Sequence, residues 1–355
     1  MIPKTNNQQA VIGALLGCAV GDALGLPYEG LSKRRARKML GEPDRYRFFL
    51  GRGMVSDDTE HSCMTAAALI ASGGDPDLFS RHLARELRWW LLALPAGVGF
   101  ATLRAILLLW LGFGPSRSGV YSAGNGPAMR SPIIGAAVND IEQLAPLVRA
   151  CTRITHTDPK AYYGAYAVAL AAHLARAGSK VEPKGFQQRL AQHLPECSEE
   201  FRDLIDQVVR SVETGMSLAD FATELNQAKG ISGYVYHSVP ICLHCWLTHQ
   251  GDYKSAVMEI IRQGGDADTT AAIVGGIVGA SVRASGIPAP WLAKLIEYPR
   301  SSAWMKHLGR ATARATAEHK KDSVPGIFWP FIPIRNLFFL CVVLFHGFRR
   351  LLPPY

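Results

Sequence analysis

The sequence predicts an all-α fold built from many helices. Hydrophobic residues make up 48% of the 355 residues, which is enough to bury a large core. β-branched runs bounded by turns are few, so strands are not expected to dominate. Apolar stretches instead alternate with helix-capping residues and with turns that contain Gly or Pro, a pattern typical of successive helices.

The first predicted helix, Val11–Leu26, carries an unusual row of glycines. Gly13, Gly17, Gly21 and Gly25 recur at four-residue spacing and therefore share one helical face. Such a face allows another backbone to approach closely. A membrane dimerisation helix is the rival interpretation, but the run is interrupted by a charged residue and is too short for a span. We predict a buried helix.

Pro27 is expected to end or kink this helix, leaving Glu29 in the following turn, where its carboxylate could face a cleft. The chain then alternates between predicted helices and loops. Two stretches, Gly112–Pro132 and Gly178–Gln192, are predicted to lack helix because they are rich in polar residues, Gly or Pro. The further predicted helices are Thr59–Ser72, Leu78–Leu94, Tyr162–Ala177, Ser198–Glu213 and Ile273–Ala280.

The formal net charge of +9 is unevenly distributed, because residues 31–52 contain eight Lys or Arg residues against only Glu42 and Asp44. A segment of this kind favours an anionic ligand or partner, although a solvated basic loop is the commoner meaning. No aromatic residues interleave with it and no nucleic-acid-binding module accompanies it. We expect no nucleic acid partner.

The cysteines predict a cytoplasmic protein with reduced thiols. Seven cysteines are scattered and mostly surrounded by apolar residues, which is not the arrangement of a disulfide framework. Cys242 and Cys245 have zinc-like spacing, but no second pair completes a four-ligand set, and we interpret them as helix packing.

The C-terminal extension differs from the rest of the chain. Residues 301–355 are first basic and then strongly apolar, and the apolar part, 327–348, is interrupted by Pro330, Pro333 and Arg335. These interruptions argue against a full membrane span. Two interpretations stay open: an interfacial membrane anchor flanked by basic residues, and a helix that packs onto the domain or onto a partner subunit.

Two acidic clusters are the most informative feature of the chain. Ser56–Thr59 and Asp266–Thr270 each combine two carboxylates with hydroxyls before an apolar stretch. Either cluster by itself could simply cap a helix. Capping, however, needs only one oxygen, whereas several carboxylates without counter-charge call for a cation. Their oxygen ligands suit Mg²⁺ or Mn²⁺ better than zinc or copper.

With these clusters and the glycine row in place, the sequence resembles the ADP-ribosylglycohydrolase family. The resemblance covers about residues 10–300, which we take as the catalytic domain, followed by the extension 301–355. The matching segments, in the order expected of the family, are Gly13–Gly17, Gly21–Glu29, Ser56–Thr59, Gly124–Gly126 with Met129 and Arg130, Thr155–His156 and Gly264–Thr269.

The resemblance implies an all-α domain with a binuclear Mg²⁺ or Mn²⁺ centre in a cleft. It implies the metal ligands Ser56, Asp57, Asp58, Asp266, Asp268 and Thr269. It places Glu29, Asp57, Asp58 and Asp268 in the catalytic machinery. It assigns substrate contacts to Glu29, Gly124, Asn125, Gly126, Met129 and His156. Ser56 and Ala267 stand where Thr is common in the family, and neither change removes an expected metal contact.

The implied activity is hydrolysis of the bond between ADP-ribose and its acceptor, which releases ADP-ribose from a modified protein side chain, with arginine as the expected acceptor. Glycosidic cleavage needs a base for water and a firm hold on the ribose, which carboxylates and two cations can supply. Two alternatives stay open: a protein that binds ADP-ribose or neutralises a toxin without turnover, and a two-metal phosphohydrolase.

Overall fold

The structure is a computed structural model that describes residues 4–352, and it is all-α as predicted. Within this range no β-strand forms, and only isolated bridges join loops. The helices are α1 (Lys4–Gly25), α2 (Lys33–Leu40), α3 (Asp57–Ser72), α4 (Pro76–Leu92), α5 (Phe100–Trp110), α6 (Gly126–Ala137), α7 (Leu144–Arg153), α8 (Pro159–Ala175), α9 (Pro183–His193), α10 (Glu199–Glu213), α11 (Leu218–Glu224), α12 (Val235–Thr248), α13 (Tyr253–Arg262), α14 (Ala267–Gly286), α15 (Ala289–Lys294), α16 (Ser302–Glu318) and α17 (Phe331–Arg349).

The centre of the fold is the antiparallel pair of α1 and α14. A Cβ added at Gly17 would lie 2.2 Å from the carbonyl oxygen of Gly275, and one added at Gly21 would lie 2.1 Å from that of Ala271. Any side chain on this face would therefore force the two backbones apart. The glycine row predicted from the sequence is the surface on which α14 packs.

The other helices enclose this pair. Helix α16 packs against α1 and α3, while α6 packs against α8 and α14. Helices α6 and α8 also approach each other closely, since a Cβ at Gly135 would lie 2.0 Å from the carbonyl oxygen of Ala169. Because α16 is part of this packing, the helical core continues to residue 318, and the predicted division at residue 300 stays a prediction.

Two predicted loops contain helices. Gly112–Pro132 was expected to be loop throughout, but α6 begins at Gly126 and includes Pro132. Pro127 stands in the first turn of α6, where a missing N–H costs nothing, and burial of the apolar residues supplies the helix. Gly178–Gln192 likewise contains α9, which buries Phe186 and Leu190.

The apolar tail folds as α17 and packs on the domain. Phe339 and Val342 join a small hydrophobic cluster with Leu26, Phe48 and Met54. Pro333 lies in the first turn of α17 and does not interrupt it. One face of α17 is therefore packed on the domain, which agrees with the second of the two interpretations of the tail. By length and composition, two helical segments in the described range could cross a membrane. In Asn7–Tyr28 the most apolar 18-residue stretch is 100% buried, and in Phe331–Arg349 it is 28% buried.

Candidate active site

The two acidic clusters meet at one place, although about 210 residues separate them in the chain. Ser56 precedes α3 and Asp266 precedes α14, so both clusters stand at helix N-termini. The Thr269 hydroxyl donates to Asp58 Oδ2 at 3.2 Å, and the Ser56 hydroxyl lies 3.3 Å from the same oxygen. The positive ends of two helix dipoles therefore face the same group of carboxylates.

Capping explains only one of the two clusters. The Ser56 hydroxyl accepts a hydrogen bond from the Asp58 backbone N–H at 3.3 Å, as an N-cap does. The Asp266 side chain makes no capping bond to α14 and accepts instead from Asn125 Nδ2 at 2.7 Å. The second cluster is therefore directed into the space between helices rather than toward its own helix.

Asp22 of α1 supports the first cluster by hydrogen bonding, a role that was not predicted from the sequence. Its carboxylate accepts hydrogen bonds from the Ser56 N–H at 2.9 Å, the Thr59 N–H at 3.2 Å and the Thr59 hydroxyl at 2.5 Å. Burial raises the pKa of Asp22 to about 7, and these hydrogen bonds oppose the rise. The signal was a charged residue within residues 10–25, a run of α1 that is otherwise apolar and is buried throughout.

The carboxylates of the site destabilise one another when ionised. Burial is the main cause that raises the pKa of Asp58, and the neighbouring Asp57 is the next. Burial also raises the pKa of Asp268, followed by Glu29 and Asp58. The pKa values of Asp57 and Asp266 are raised by burial as well. A cation would relieve both the desolvation and the repulsion.

The donor groups fit a hard divalent cation. Asp58 Oδ1 is buried and accepts no hydrogen bond within the described part of the chain. Such an orphaned carboxylate oxygen is costly unless a cation contacts it. As oriented here, however, no three carboxylate, imidazole or thiolate groups among residues 4–352 converge on one point. Metal binding therefore requires the carboxylates to rotate toward one another.

The acidic clusters form the floor of a cleft with a volume of about 490 Å³. Of the residues assigned to the site from the sequence, all but Asp58 line this cleft, and Asp58 lies buried beneath it. Those lining it are Glu29, Ser56, Asp57, Gly124, Asn125, Gly126, Met129, His156, Asp266, Asp268 and Thr269. Their individual roles stay predictions.

His156 is held as a neutral imidazole at the cleft wall. Burial is the main cause that lowers its pKa to about 3, and Arg130 is the second. Arg130 donates to the Thr155 hydroxyl at 2.7 Å, and that hydroxyl lies 2.9 Å from His156 Nδ1. Because Thr155 Oγ1 accepts from Arg130, its own hydrogen is available to Nδ1, and in that tautomer Nε2 carries the ring proton.

The glycines beside His156 make room for its ring. A Cβ at Gly124 would lie 3.1 Å from His156 Nε2, and one at Gly126 would lie 3.1 Å from Cε1. Glycines at a ligand cleft can also let backbone amides approach phosphate oxygens. Two of the amides in this turn are already engaged, since Gly124 N–H donates to Ser122 Oγ and Asn125 N–H donates to the Gly233 carbonyl.

Comparison with known proteins decides the family. The sequence profile described as ADP-ribosylglycohydrolase matches residues 3–322, nearly the whole chain. The chain belongs to the ADP-ribosylglycohydrolase family. It is 30% identical over 290 residues to the ADP-ribosyl-[dinitrogen reductase] glycohydrolase of Rhodospirillum rubrum, covering 80% of this chain and 89% of the relative. It is 24% identical over 330 residues to the ADP-ribosylhydrolase ARH3 of Gallus gallus, covering 79% and 87%.

A solved structure described as an ADP-ribosylglycohydrolase-related protein complex shares the fold, with a TM-score of 0.62 and 27% identity, over 88% of this chain and 99% of that chain. As a member of the ADP-ribosylglycohydrolase family with named hydrolase relatives, the protein is a glycosyl hydrolase, and its activity is hydrolysis of ADP-ribosyl–acceptor bonds.

One wall of the glycohydrolase cleft comes from outside the region that the family profile matches. Phe339 and Val343 of α17 line the cleft together with the loop 96–99 and the first turn of α5. Arg350, just after α17, donates to the Glu29 carbonyl at 2.9 Å and to the Pro27 carbonyl at 3.1 Å. The tail therefore holds the turn that carries Glu29, a contribution that the sequence analysis missed.

Proposed function

We propose that this glycohydrolase removes ADP-ribose from modified protein side chains, with arginine as the acceptor and a binuclear Mg²⁺ or Mn²⁺ centre in the cleft. The observation that carries the proposal is the meeting of carboxylates from three segments of the chain around one cleft, with a buried Asp58 oxygen that accepts no hydrogen bond from residues 4–352. The ADP-ribosylated protein is the substrate, and free ADP-ribose is a product.

The cations would be held by Ser56, Asp57, Asp58, Asp266, Asp268 and Thr269. When bound, two such ions hold vicinal hydroxyls and increase the acidity of a bound water. Asn125 fixes the orientation of Asp266 through its 2.7 Å hydrogen bond, and Thr269 does the same for Asp58. These contacts keep both carboxylates at the cleft, from where side-chain rotation would bring them to a shared ion.

Glu29 is the residue that we assign to the attacking water. It lines the cleft. Partial burial is the main cause that raises its pKa, and repulsion from Asp266 is the second. A raised pKa makes a carboxylate a better proton acceptor at neutral pH. On the opposite side, the N–H at His156 Nε2 can donate to the ligand, and Met129 offers an apolar contact.

Arginine as the acceptor is supported by the charge of the cleft. Glu29, Asp57 and Asp58, with Asp266 and Asp268, are five acidic groups, which exceed the charge that two divalent cations would bring. The remaining negative field favours a cationic guanidinium over a neutral hydroxyl acceptor. A relative whose name specifies dinitrogen reductase as the ADP-ribosylated protein is 30% identical to this chain.

A cytoplasmic location is also proposed. All seven cysteines are free, and six of them are buried, as expected of a protein from a reducing compartment.

The test is release of free ADP-ribose from arginine-ADP-ribosylated protein and, in parallel, from serine-ADP-ribosylated protein. Each reaction is run with Mg²⁺, with Mn²⁺ and with EDTA. We expect metal-dependent release from arginine, and a decrease of roughly 100-fold or more in Asp268→Ala, because loss of one charged group of a metal site typically costs several kcal/mol. Asp322→Ala is the matched control, since Asp322 pairs with Arg314 on the surface.

Release from serine but not from arginine would overturn the proposed acceptor and leave the metal site standing. Equal release in EDTA would overturn the metal centre. Binding of ADP-ribose that survives in Asp268→Ala, with no release from either substrate by wild type, would favour a binding role instead.

A further inference from the structure

Helix α17 buries two polar residues among a few apolar ones and exposes most of its large apolar side chains. Arg335 and Asn336 are buried against the domain, whereas Leu337 is 63% exposed and Phe348 is 66% exposed. A helix that served only to cover a domain in water would show the opposite distribution. Several other large apolar side chains share this outer face: Ile334, Phe338, Leu340, Leu344 and Phe345.

The interior contacts of α17 are strong enough to hold it in this orientation. Arg335 donates to both oxygens of Glu297 at 2.8 Å, and Glu297 in turn accepts from the Val55 N–H. Asn336 donates to the Ala93 carbonyl at 2.7 Å. Pulling α17 away from the domain would leave Glu297 buried without its cation. The outer face is therefore fixed outward.

The exposed apolar surface continues from α17 onto α4 and α5. Trp329 packs edge to face against Trp89 at 6.1 Å, and Trp89 packs against Trp110 at 6.2 Å. Nearby, Leu94 is 77% exposed and Phe100 is 84% exposed. Apolar surface of this extent on a soluble domain marks an interaction site.

Basic residues border this surface at the C-terminal end of α17. Helix α2 lies there, since Arg35 donates to the Arg350 carbonyl, and its Arg34 and Arg37 are exposed. The loop tip before α3 adds Leu50, which is 87% exposed, and the exposed Arg52. Tryptophans at one end and arginines at the other are the composition of a membrane-interface segment.

We propose that this surface, the outer face of α17 with the aromatic side chains of α4 and α5 and the arginines of α2, docks on an anionic lipid bilayer. In this arrangement α17 lies in the plane of the interface and does not span it, because Arg335 is held in the domain. A second copy of the chain fits less well, since it would bring two arginine-rich borders together, whereas anionic lipids neutralise them.

Docking of this kind has a geometric consequence for the cleft. The same helix presents Phe339 and Val343 to the cleft on its inner side. Phe100 also lines the cleft and is part of the exposed surface. The active site would therefore lie within about one helix diameter of the lipid headgroups, which favours modified proteins at the membrane. Docking does not depend on which acceptor the enzyme hydrolyses.

The test is co-sedimentation of the full chain with vesicles of phosphatidylcholine, with and without phosphatidylglycerol. We expect the wild type to sediment with the anionic vesicles. The double variant Leu337→Glu/Phe348→Glu should partition at least about 100-fold more weakly, because each large apolar side chain contributes roughly tenfold or more. Arg34→Glu/Arg37→Glu should weaken partition about tenfold or more, since each basic residue near the surface contributes about fivefold.

Ala191→Glu, an exposed position on α9, adds the same charge elsewhere and should sediment as the wild type does. None of the substituted side chains lines the cleft, so unchanged melting temperature and unchanged hydrolysis of a soluble substrate would show that the variants fold. Wild type that stays in the supernatant overturns the proposal. So does a Leu337→Glu/Phe348→Glu variant that sediments fully, or a dimer that this variant abolishes while wild type ignores vesicles.

Discussion

Helices α1 and α17 are both long and apolar enough to cross a bilayer, yet one lies at the centre of the protein and the other on its surface. The most apolar 18-residue stretch of the α1 segment is 100% buried, whereas that of α17 is 28% buried. Helix α1 presents glycines at four-residue spacing, and α14 packs on them backbone to backbone. Helix α17 has bulky, exposed Phe and Leu residues and directs Arg335 and Asn336 inward.

Apolarity alone therefore does not say where a helix lies. The size of the side chains along one face, and the side on which the few polar residues stand, distinguish the two cases. The α1–α14 pair also builds the floor of the cleft, through Asp22 and Asp268, whereas α17 contributes one wall of it.

The largest effect is expected where the two helices differ most, at their glycines. Gly17→Ala/Gly21→Ala should lower the free energy of unfolding by about 2–6 kcal/mol, since each new methyl would overlap a backbone oxygen of α14 and overpacking costs about 1–3 kcal/mol per site. Gly347→Ala in α17 meets nothing within 4 Å and should instead stabilise by about 0.5–1 kcal/mol. Denaturant unfolding measures both, and equal effects would contradict the comparison.

The second effect concerns the polar anchor of α17. Arg335→Ala should lower the free energy of unfolding by about 3–5 kcal/mol, because Glu297 would stay buried without its partner. Arg314→Ala, which breaks an exposed ion pair with Asp322, should cost less than about 1 kcal/mol. If chemical denaturation gave similar small losses for both, α17 would be a loosely attached tail.

The helices around α14 also bury a histidine, a residue whose ordinary pKa lies near neutral pH. His244 of α12 is buried, and burial lowers its pKa to about 4. The folded state therefore takes up a proton less readily than the unfolded state, and stability that is present above pH about 6.5 is lost as the pH falls toward 4. The expected loss is about 3 kcal/mol.

His244→Phe should remove this part of the acid destabilisation, while His307→Phe, at an exposed position, should leave the pH dependence as in wild type. The measurement is the free energy of unfolding between pH 7 and pH about 4. Parallel curves for wild type and His244→Phe would show that His244 titrates alike in both states.

The smallest effect sharpens the role of α17 in the cleft. Val343→Ala should raise KM about fivefold with kcat nearly unchanged, because it removes roughly 1 kcal/mol of apolar contact and no reacting group. Leu337→Ala, on the outer face of the same helix, should leave both constants as in wild type when a soluble substrate is used. A change in kcat alone would mean that α17 acts on the catalytic groups and not on binding.

Much of this could be predicted from the sequence. The glycine row predicted the buried α1, and the two acidic clusters indicated one oxygen-rich site before their proximity was known. The family resemblance extended over the region that the profile also matches. These features depend on local spacing, which the sequence contains directly.

The features that were missed depend on what a segment packs against. Helix α6 forms through Pro132 because its surroundings bury it on nearly every side. Arg335 of α17 is turned inward because it pairs with the buried Glu297, and that pairing joins residues 38 apart. The role of Asp22 likewise becomes visible only when the start of α3 lies beside it.

We propose that the carboxylates at the N-termini of α3 and α14 hold the divalent ions of the hydrolase. Anomalous diffraction from crystals grown with Mn²⁺ tests it most directly. We expect two peaks within ligand distance of Asp57, Asp58, Asp266 and Asp268. If the enzyme is active with Mn²⁺ but its crystals show anomalous peaks elsewhere, or none in this cleft, the proposed metal site is wrong.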